Sequence, residues 1–440
     1  MKRPVVGIIG NQYLLNDQYP AHAGGKMNSE AISGVSGCMP LLIPADPRFV
    51  SVPELMAACD GFLLTGGRPN VHPNEYGEAE TAAVQAAADA WSADSGTTVE
   101  VIAASDLNQE LAQGFAGDSA PDVFYMGWDQ FQTYAGDDYL EPYAGDLANA
   151  GDFYPALVDT FTFDGEFVCA PKDFSTLGLV INTQLWEAAG LTDADVPTTW
   201  EELQTVAQTL TTGDTVGLSM GAEYARVGVF MEQAGGGLMD GDTVTASSPE
   251  NVEALEYVQG LLEAGSLKWP ADLGAGWGGE AFGNGAAAMV IEGPWIRGAL
   301  EADFPDVEFL VAELPEGPAG PGTFSFSNCW GIPQGQETAA TAQELVAFLT
   351  SDEQQLEFAD AFGVIPSTQA AAATYAETYP ENAAFVAGAE YAVGPVSFSG
   401  AADVVTEFNN TITTLQGADP QAALDELQTQ LEAAYESSQG

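Results

Sequence analysis

Only two histidines, nine Lys or Arg and four cysteines occur in 440 residues, and each scarcity removes a class of function. Both histidines, His22 and His72, precede residue 80. The remaining 360 residues carry no imidazole to act as a general base near neutral pH or as a zinc ligand. Neither a metal site nor a cofactor is expected. Nine cations against 64 Asp and Glu leave a net charge of −55, a surface that repels nucleic acid and anionic lipid headgroups. No nucleic-acid partner is expected. No run approaches the ~18 apolar residues of a membrane span. Lys2 and Arg3 precede a short apolar stretch at 4–9, which ends by Asn11 without a small-residue cleavage site. Neither an export signal nor a lipid-attachment cysteine is read, so the chain as encoded reads as cytoplasmic.

With 46% hydrophobic and 10% aromatic residues, the chain can build two or three domains, each with its own core. Its 17% charged content falls below the usual ~25%, mainly because Lys and Arg are missing. The charge is also unevenly placed. Residues 1–80 hold five bases (Lys2, Arg3, Lys26, Arg48, Arg68) against eight acids, a net of −3. Residues 81–440 hold four (Lys172, Arg226, Lys268, Arg297) against 56, a net of −52. So abrupt a change reads as two segments of different origin joined near 76–84.

In the first segment, 4–10 (PVVGIIG), 40–45 (PLLIPA) and 61–65 (GFLLT) read as buried parallel strands. Helical stretches at 29–35 and 52–58 separate them, a β-α-β-α-β start. RPVVGIIGN, GCMPLLIPAD and CDGFLLTGGRPNVHPNEYGE together resemble the opening of class I glutamine amidotransferases of the γ-glutamyl hydrolase (peptidase C26) type. The resemblance implies oxyanion-hole N–H groups at Gly66 and Gly67. It stops short of chemistry, because that family's nucleophile is a cysteine in a G-x-C-x-G elbow served by a later histidine. Cys38, Cys59, Cys169 and Cys329 lie in SGCMP, AACDG, VCAPK and SNCWG instead. A γ-glutamyl hydrolase or amidotransferase-like role is the alternative function, with nucleophile and base both lacking, and no catalytic residue is expected. Cys38 and Cys59 read as small buried apolar groups.

The acidic body alternates helices and strands. Residues 80–93 place Val84, Ala87 or Ala88, and Trp91 on one helical face, and strands are expected at 98–104 and 121–126. Asp164-Gly165 marks a hairpin. Thr198 and Thr199 before Glu201 and Glu202 form a capping box, and Ser248-Pro249, Ser351 with Gln354, and Asp419-Pro420 open further helices. An α/β protein of two lobes follows. GDSAPDVFYMGWDQFQTYA, APKDFSTLGLVINTQLWEAAGL, FGNGAAAMVIEGPW and NCWGIPQGQETAATAQELVAFLTSDEQQ occur in that order, and the chain closes on GADPQAALDELQTQLEAAY. Together they resemble family 1 extracellular solute-binding proteins, the capture subunits of ABC importers, most often for sugars.

That resemblance covers nearly all of 84–440. It implies a two-lobed periplasmic-binding-protein-like (type II) fold with hinge crossovers, preceded by a partial three-stranded parallel α/β fragment at 1–77. Lobe I would be 78–174 plus 320–370, and lobe II 175–319 plus 371–440. It also implies a carbohydrate ligand, ABC permease subunits as partners, an extracellular or cell-surface location, and a monomer. The family's first strand and the loop after it are missing here, and 62–65 is expected to fill that slot in lobe I.

Sugars offer flat C–H faces edged by hydroxyls, so their sites combine aromatic rings with carboxylates or amides. Trp128 and Asp129 follow the 121–126 strand at its carboxyl end, where open α/β sheets place ligands. Lys172 and Asp173 sit at the first lobe crossing; Lys172 either touches ligand or neutralises Asp173 or another acid. Glu223 and Tyr224 follow the 216–220 strand, and Trp277 lies on a Gly-rich loop. The resemblance puts Trp295 (in EGPW) and Trp330 (in NCWGI) where family members hold stacking rings, with Asn328 alongside. Each ring has core packing as its ordinary alternative. The resemblance further implies a Cys169–Cys329 disulfide, because the family fold brings their segments together. GAGWGG at 274–279 fits G-x-G-x-x-G but follows no clear strand, so no dinucleotide is expected. Asp129 and Glu223 suffice in number for a carboxylate glycosidase, with no spacing to support one.

Overall fold

A computed structural model describes residues 5–9, 11–15, 19–23, 39–43, 61–63, 73–104, 107–117 and 119–438. They divide into two units, Met1–His72 and Pro73–Gly440.

In the first unit Val5–Ile9 is the central strand of a parallel sheet. It pairs with Met39–Ile43 on one side (Val5↔Met39 to Ile9↔Ile43) and with Gly61–Leu63 on the other (Val6↔Gly61). An uninterrupted apolar run such as VVGII suits a central parallel strand, which has no solvent face to require alternation. These are the three strands read from the sequence. One element was not foreseen: Asn11–Leu15 pairs antiparallel with Tyr19–Ala23. The helical stretches at 29–35 and 52–58, Gly66, Gly67, Cys38 and Cys59 lie outside the described residues.

The assignment of 62–65 to lobe I is corrected. Gly61–Leu63 pairs with Val5–Ile9, and the lobe I sheet consists, among the described residues, of Phe124–Gly127, Asn328–Gly331 and Ala170–Pro171. The neighbouring parallel strand already satisfies the backbone N–H and C=O groups of Gly61–Leu63. A second difference follows. Residues 96–104, expected to contain a strand, run without a ladder, and Ile102 is 71% exposed. Strand propensity is realised only where a partner edge receives it.

The second unit opens with the helix Pro73–Ser95, which starts earlier than the sequence pattern indicated, with Pro73 at its first position. Ala87 and Trp91 face the lobe I core beside Trp330 and Val346. Lobe II is built on a five-stranded sheet in the order Leu267–Lys268, Val216–Ser219, Ala287–Glu292, Gly178–Asn182, Phe309–Ala312. Successive residues of these strands feed opposite cores, as the two-residue period requires. Leu179, Ile181, Met289 and Ile291 face one core, Val180 and Val290 the other, which is why neither central strand alternates with polar residues. A third small sheet joins Ser175–Thr176, Thr323–Phe326 and Ala392–Val393. The expected helix starts are present: Thr199, Ser248 and Ser351 accept from the N–H groups of Glu202, Asn251 and Gln354. Asp164 (φ 53°) and Gly165 (φ 81°) make the hairpin between Thr162–Phe163 and Glu166–Phe167. Cys169 and Cys329 form the disulfide, Cα atoms 5.5 Å apart, within the lobe I core.

One buried acid in this frame gives a pH prediction. Glu232, on the helix Tyr224–Gln233, has its carboxyl raised by burial from 4.5 to about 7. Between those values the native state binds the proton more tightly than the unfolded chain. Stability should therefore be greatest below pH 4.5 for this group and fall by roughly 3 kcal/mol as pH rises through 7. Glu232→Gln should flatten that slope and raise the melting temperature at pH 8. An unaltered pH profile would remove Glu232 from the account.

Candidate functional site

Strand directions bring two sets of residues face to face. In lobe I, Phe124–Gly127 ends at Trp128; antiparallel to it, Asn328–Gly331 begins opposite Gly127; and Ala170–Pro171 runs on into Lys172 beside Asn328. Trp128, Asn328 and Lys172 thus share one end of the sheet. In lobe II, Val216–Ser219 and Ala287–Glu292 run parallel, and Gly178 lies opposite Glu292. Glu223, Glu292 and Trp295 therefore share the end at which the chain arrives from lobe I. Five residues separate Lys172 from Gly178, a reach of at most ~20 Å over the six chain steps. The chain passes between the two sheet ends through Ser175–Thr176, which pairs with Thr323–Phe326 in a small sheet completed by Ala392–Val393.

A run of aromatic contacts leads from the half-buried Trp128 and Phe326 to the buried Phe324 and Tyr224. Trp128 lies 6.3 Å from Phe326, Phe326 lies 6.3 Å from Phe324, and Phe324 lies 5.2 Å from Tyr224. Trp128 and Phe326 are half-buried, with apolar faces left for a ligand. Asp129 is exposed beside Trp128 at the start of the helix Trp128–Gly136.

On the lobe I side Lys172 is only 3% exposed. Its Nζ bonds Asp173, lies 2.8 Å from Glu80 Oε1 and sits 5.0 Å from the Tyr125 ring centre. Burial opposes the lysine charge, but Asp173 and Glu80 outweigh it and hold the ammonium above the ordinary lysine range. Burial, followed by Glu80, pushes the Tyr125 hydroxyl up to about 12, so it stays a donor. The main chain is fixed in turn: Lys172 N–H donates to the Asn328 carbonyl at 2.8 Å and Ser327 Oγ to the Asp173 carbonyl at 2.6 Å.

Lobe II answers with a second cation. Arg226 Nη2 donates to Glu292 Oε2 at 2.7 Å, Nη1 lies 3.2 Å from Glu223 Oε1, and the guanidinium sits 5.3 Å from the Trp295 ring. Trp295 Nε1 donates to the same Glu292 oxygen at 3.1 Å. Two glycines permit this closeness. A Cβ at Gly293 would lie 2.2 Å from the Trp295 ring, and one at Gly278 would lie 2.6 Å from Glu292 Oε1.

Among the expected site residues, Trp128, Asp129, Lys172, Asp173, Asn328, Glu223 and Trp295 meet at the two sheet ends. Trp277 comes near through Gly278, its half-buried ring folded over Gly279. Two residues lie inside instead. Tyr224 is 3% exposed in the lobe II core, and Trp330 is 4% exposed in the lobe I core, edge-on to Tyr125. Both adjoin site residues in sequence; Asn328 and Trp330, two residues apart, share one face of their strand, but Asn328 stands half-buried at its end whereas Trp330 packs in the lobe I core with Ala87 and Trp91. Sequence reasoning missed Glu80, Tyr125, Arg226, Glu292 and Phe326. Scarcity was an available signal for Arg226, and Glu292 stands in the quoted EGPW; nothing local marked Glu80. A separate concavity of about 460 Å³, lined by residues including Thr160, Glu390 and Ser397, adjoins the cleft loop through Ser397 Oγ, which donates to the Trp128 carbonyl at 3.1 Å.

Comparison with known proteins now has a geometry to rest on. The profile described as bacterial extracellular solute-binding protein matches residues 86–387, and that of peptidase C26 matches 4–95. They overlap inside Pro73–Ser95, so the two segments meet within one continuous helix. A Deinococcus radiodurans protein named "Probable ABC transporter-binding protein" is 24% identical over 290 residues, 61% of this chain and 68% of its own. The cyclic α-maltosyl-1,6-maltose binding protein of Arthrobacter globiformis superposes with a TM-score of 0.72 at 24% identity, covering 82% of this chain and 96% of that one. UgpB of Mycobacterium tuberculosis, solved with glycerophosphocholine, gives 0.70-class agreement, a TM-score of 0.71 at 19% identity over 81% and 95%. The two structures share the two-lobed fold with this chain.

Proposed function

Because the chain belongs to the bacterial extracellular solute-binding protein family, we propose that it holds a carbohydrate between its lobes and presents it to the permease subunits of an ABC importer. The convergence of Trp128, Phe326 and Trp295 with Asp129, Glu223 and Asn328 across one hinged cleft carries this reading. Rings of that kind stack on sugar faces while the carboxylates and amide accept and donate to hydroxyls. Lobe limits near 78–174 plus 320–370 and 175–319 plus 371–440 allow closure about the crossing strands, since only a closed cleft touches the solute from both sides. The similarity to a maltosyl-maltose binding protein supports a saccharide. A buried disulfide supports an oxidising, extracytoplasmic setting. A monomer without nucleic-acid partners fits the uniformly acidic body. The amidotransferase alternative has no support in the chemistry: no G-x-C-x-G elbow exists and no histidine follows His72.

Isothermal titration calorimetry of the full chain against neutral mono-, di- and trisaccharides, glycerophosphocholine and an amino acid set tests the assignment. At least one saccharide should bind with a micromolar dissociation constant and alter tryptophan fluorescence. Binding of glycerophosphocholine or an amino acid with no saccharide bound would overturn the carbohydrate reading.

A further inference from the structure

Each buried cation at the cleft is held by two carboxylates rather than one. Lys172 lies between Glu80 and Asp173, and Arg226 between Glu223 and Glu292. In both groups one carboxylate is buried and the other lies outward. The side chains of Asp173 and Glu292 are 10% and 3% exposed, those of Glu80 and Glu223 22% and 44%. The other two cations of the body do not relieve this balance. Arg297 pairs with Glu301 and Glu381, and Lys268 lies exposed on the outermost strand of the lobe II sheet. One carboxylate per cation would neutralise the site. Counted over the described residues, the second leaves each cluster one charge negative, with exposed Asp129 adding another.

We propose that Glu80 and Glu223 set the charge selectivity of the cleft, each acting as an outer counter-ion that denies its cation to an anionic solute. This rests on the cleft being the solute site and adds the class of solute: one without net negative charge, excluding uronates, sulfated sugars and sugar phosphates. A carboxylate or phosphate entering beside Trp128 or Trp295 would meet an occupied ammonium or guanidinium and a surplus negative charge in a partly desolvated space. There, unlike-charge attraction is unavailable and like-charge repulsion is poorly screened. Glu80 also has a distinct origin. It lies outside the 86–387 match and inside the 4–95 match, so the N-terminal segment supplies half of this selectivity through the helix Pro73–Ser95.

Two measurements on the full chain test the proposal, one without any sugar. Trp128, Trp277 and Trp295 are half-buried, whereas the other five tryptophans are 8% exposed or less, so collisional quenching reports mainly on the cleft. The ratio of iodide to acrylamide quenching should rise about twofold or more in Glu80→Gln/Glu223→Gln at ~0.1 M ionic strength. Glu80→Asp/Glu223→Asp, which keeps the charges, should return the wild-type ratio and serves as the folding control. In calorimetry, the affinity for trigalacturonate relative to a neutral trisaccharide should rise about tenfold in the Gln pair. An unchanged quenching ratio, or wild-type protein binding trigalacturonate as tightly as the neutral sugar, would overturn the proposal. A quenching response with no saccharide bound would overturn the carbohydrate reading alone.

Discussion

Opening the Cys169–Cys329 disulfide is expected to cost about 5 kcal/mol of stability, the chain-entropy value for a crosslink spanning 160 residues. The bond ties together two lobe I segments that are otherwise joined only by the long excursion of the chain through the five-stranded sheet of lobe II. Cys329 lies opposite Pro171 in the sheet, and both cysteines are buried at 1% exposure or less. A paired Cys169→Ala/Cys329→Ala variant, compared with wild type in urea denaturation with and without reductant, isolates the effect. The wild type should lose stability on reduction and the variant should not respond. Because Lys172 and Asn328 flank the two cysteines in sequence, loosening this edge should also weaken solute binding. Equal stability of the oxidised and reduced wild type would show that the lobe I core holds these strands without the crosslink.

The second large effect concerns Lys172. Lys172→Met should destabilise the protein by roughly 3–5 kcal/mol, the usual consequence of removing one partner from a buried ion pair. Asp173 would remain 7% exposed without its counter-ion, Glu80 would lose its own, and the Tyr125 ring would lose the cation beside it. Glu80→Gln added to Lys172→Met should recover part of the loss, because it removes one of the stranded charges. Thermal unfolding of the two variants separates these terms. If Lys172→Met melts within a degree or two of wild type, the ion cluster is not a structural keystone of lobe I. The same geometry decides between the two roles open to this lysine from sequence. It is ion-paired with Asp173 and Glu80 and buried, so a charge reversal at 172 would disrupt folding before it reported on ligand contact.

Much of the architecture was legible because it depends on local chemistry. Thr199, Ser248 and Ser351 mark helix starts by an oxygen placed to accept from the third residue on. Asp164-Gly165 marks a hairpin by tolerating positive φ. VVGII marks a central strand by lacking polar alternation. What misled was propensity without a partner. Residues 98–104 carry strand-forming side chains yet join no described ladder, and Gly61–Leu63 takes the strand beside it rather than a more distant one. Trp330 was indicated by the family resemblance and Tyr224 by its place after the 216–220 strand, but what packs over a ring decides whether it meets solvent or core.

The sequence by itself determined that the body is acidic and free of histidine, and which cysteines can pair once the family resemblance is seen. Those properties follow from residue types, which need no neighbours to define them. Only the tertiary structure decided that Glu80 meets Lys172, that Glu292 meets Arg226, and that Trp330 lies inside while Trp295 borders the cleft. Burial and ion pairing are relations between residues about seventy to ninety positions apart, and they exist only once the strand crossings bring those residues together.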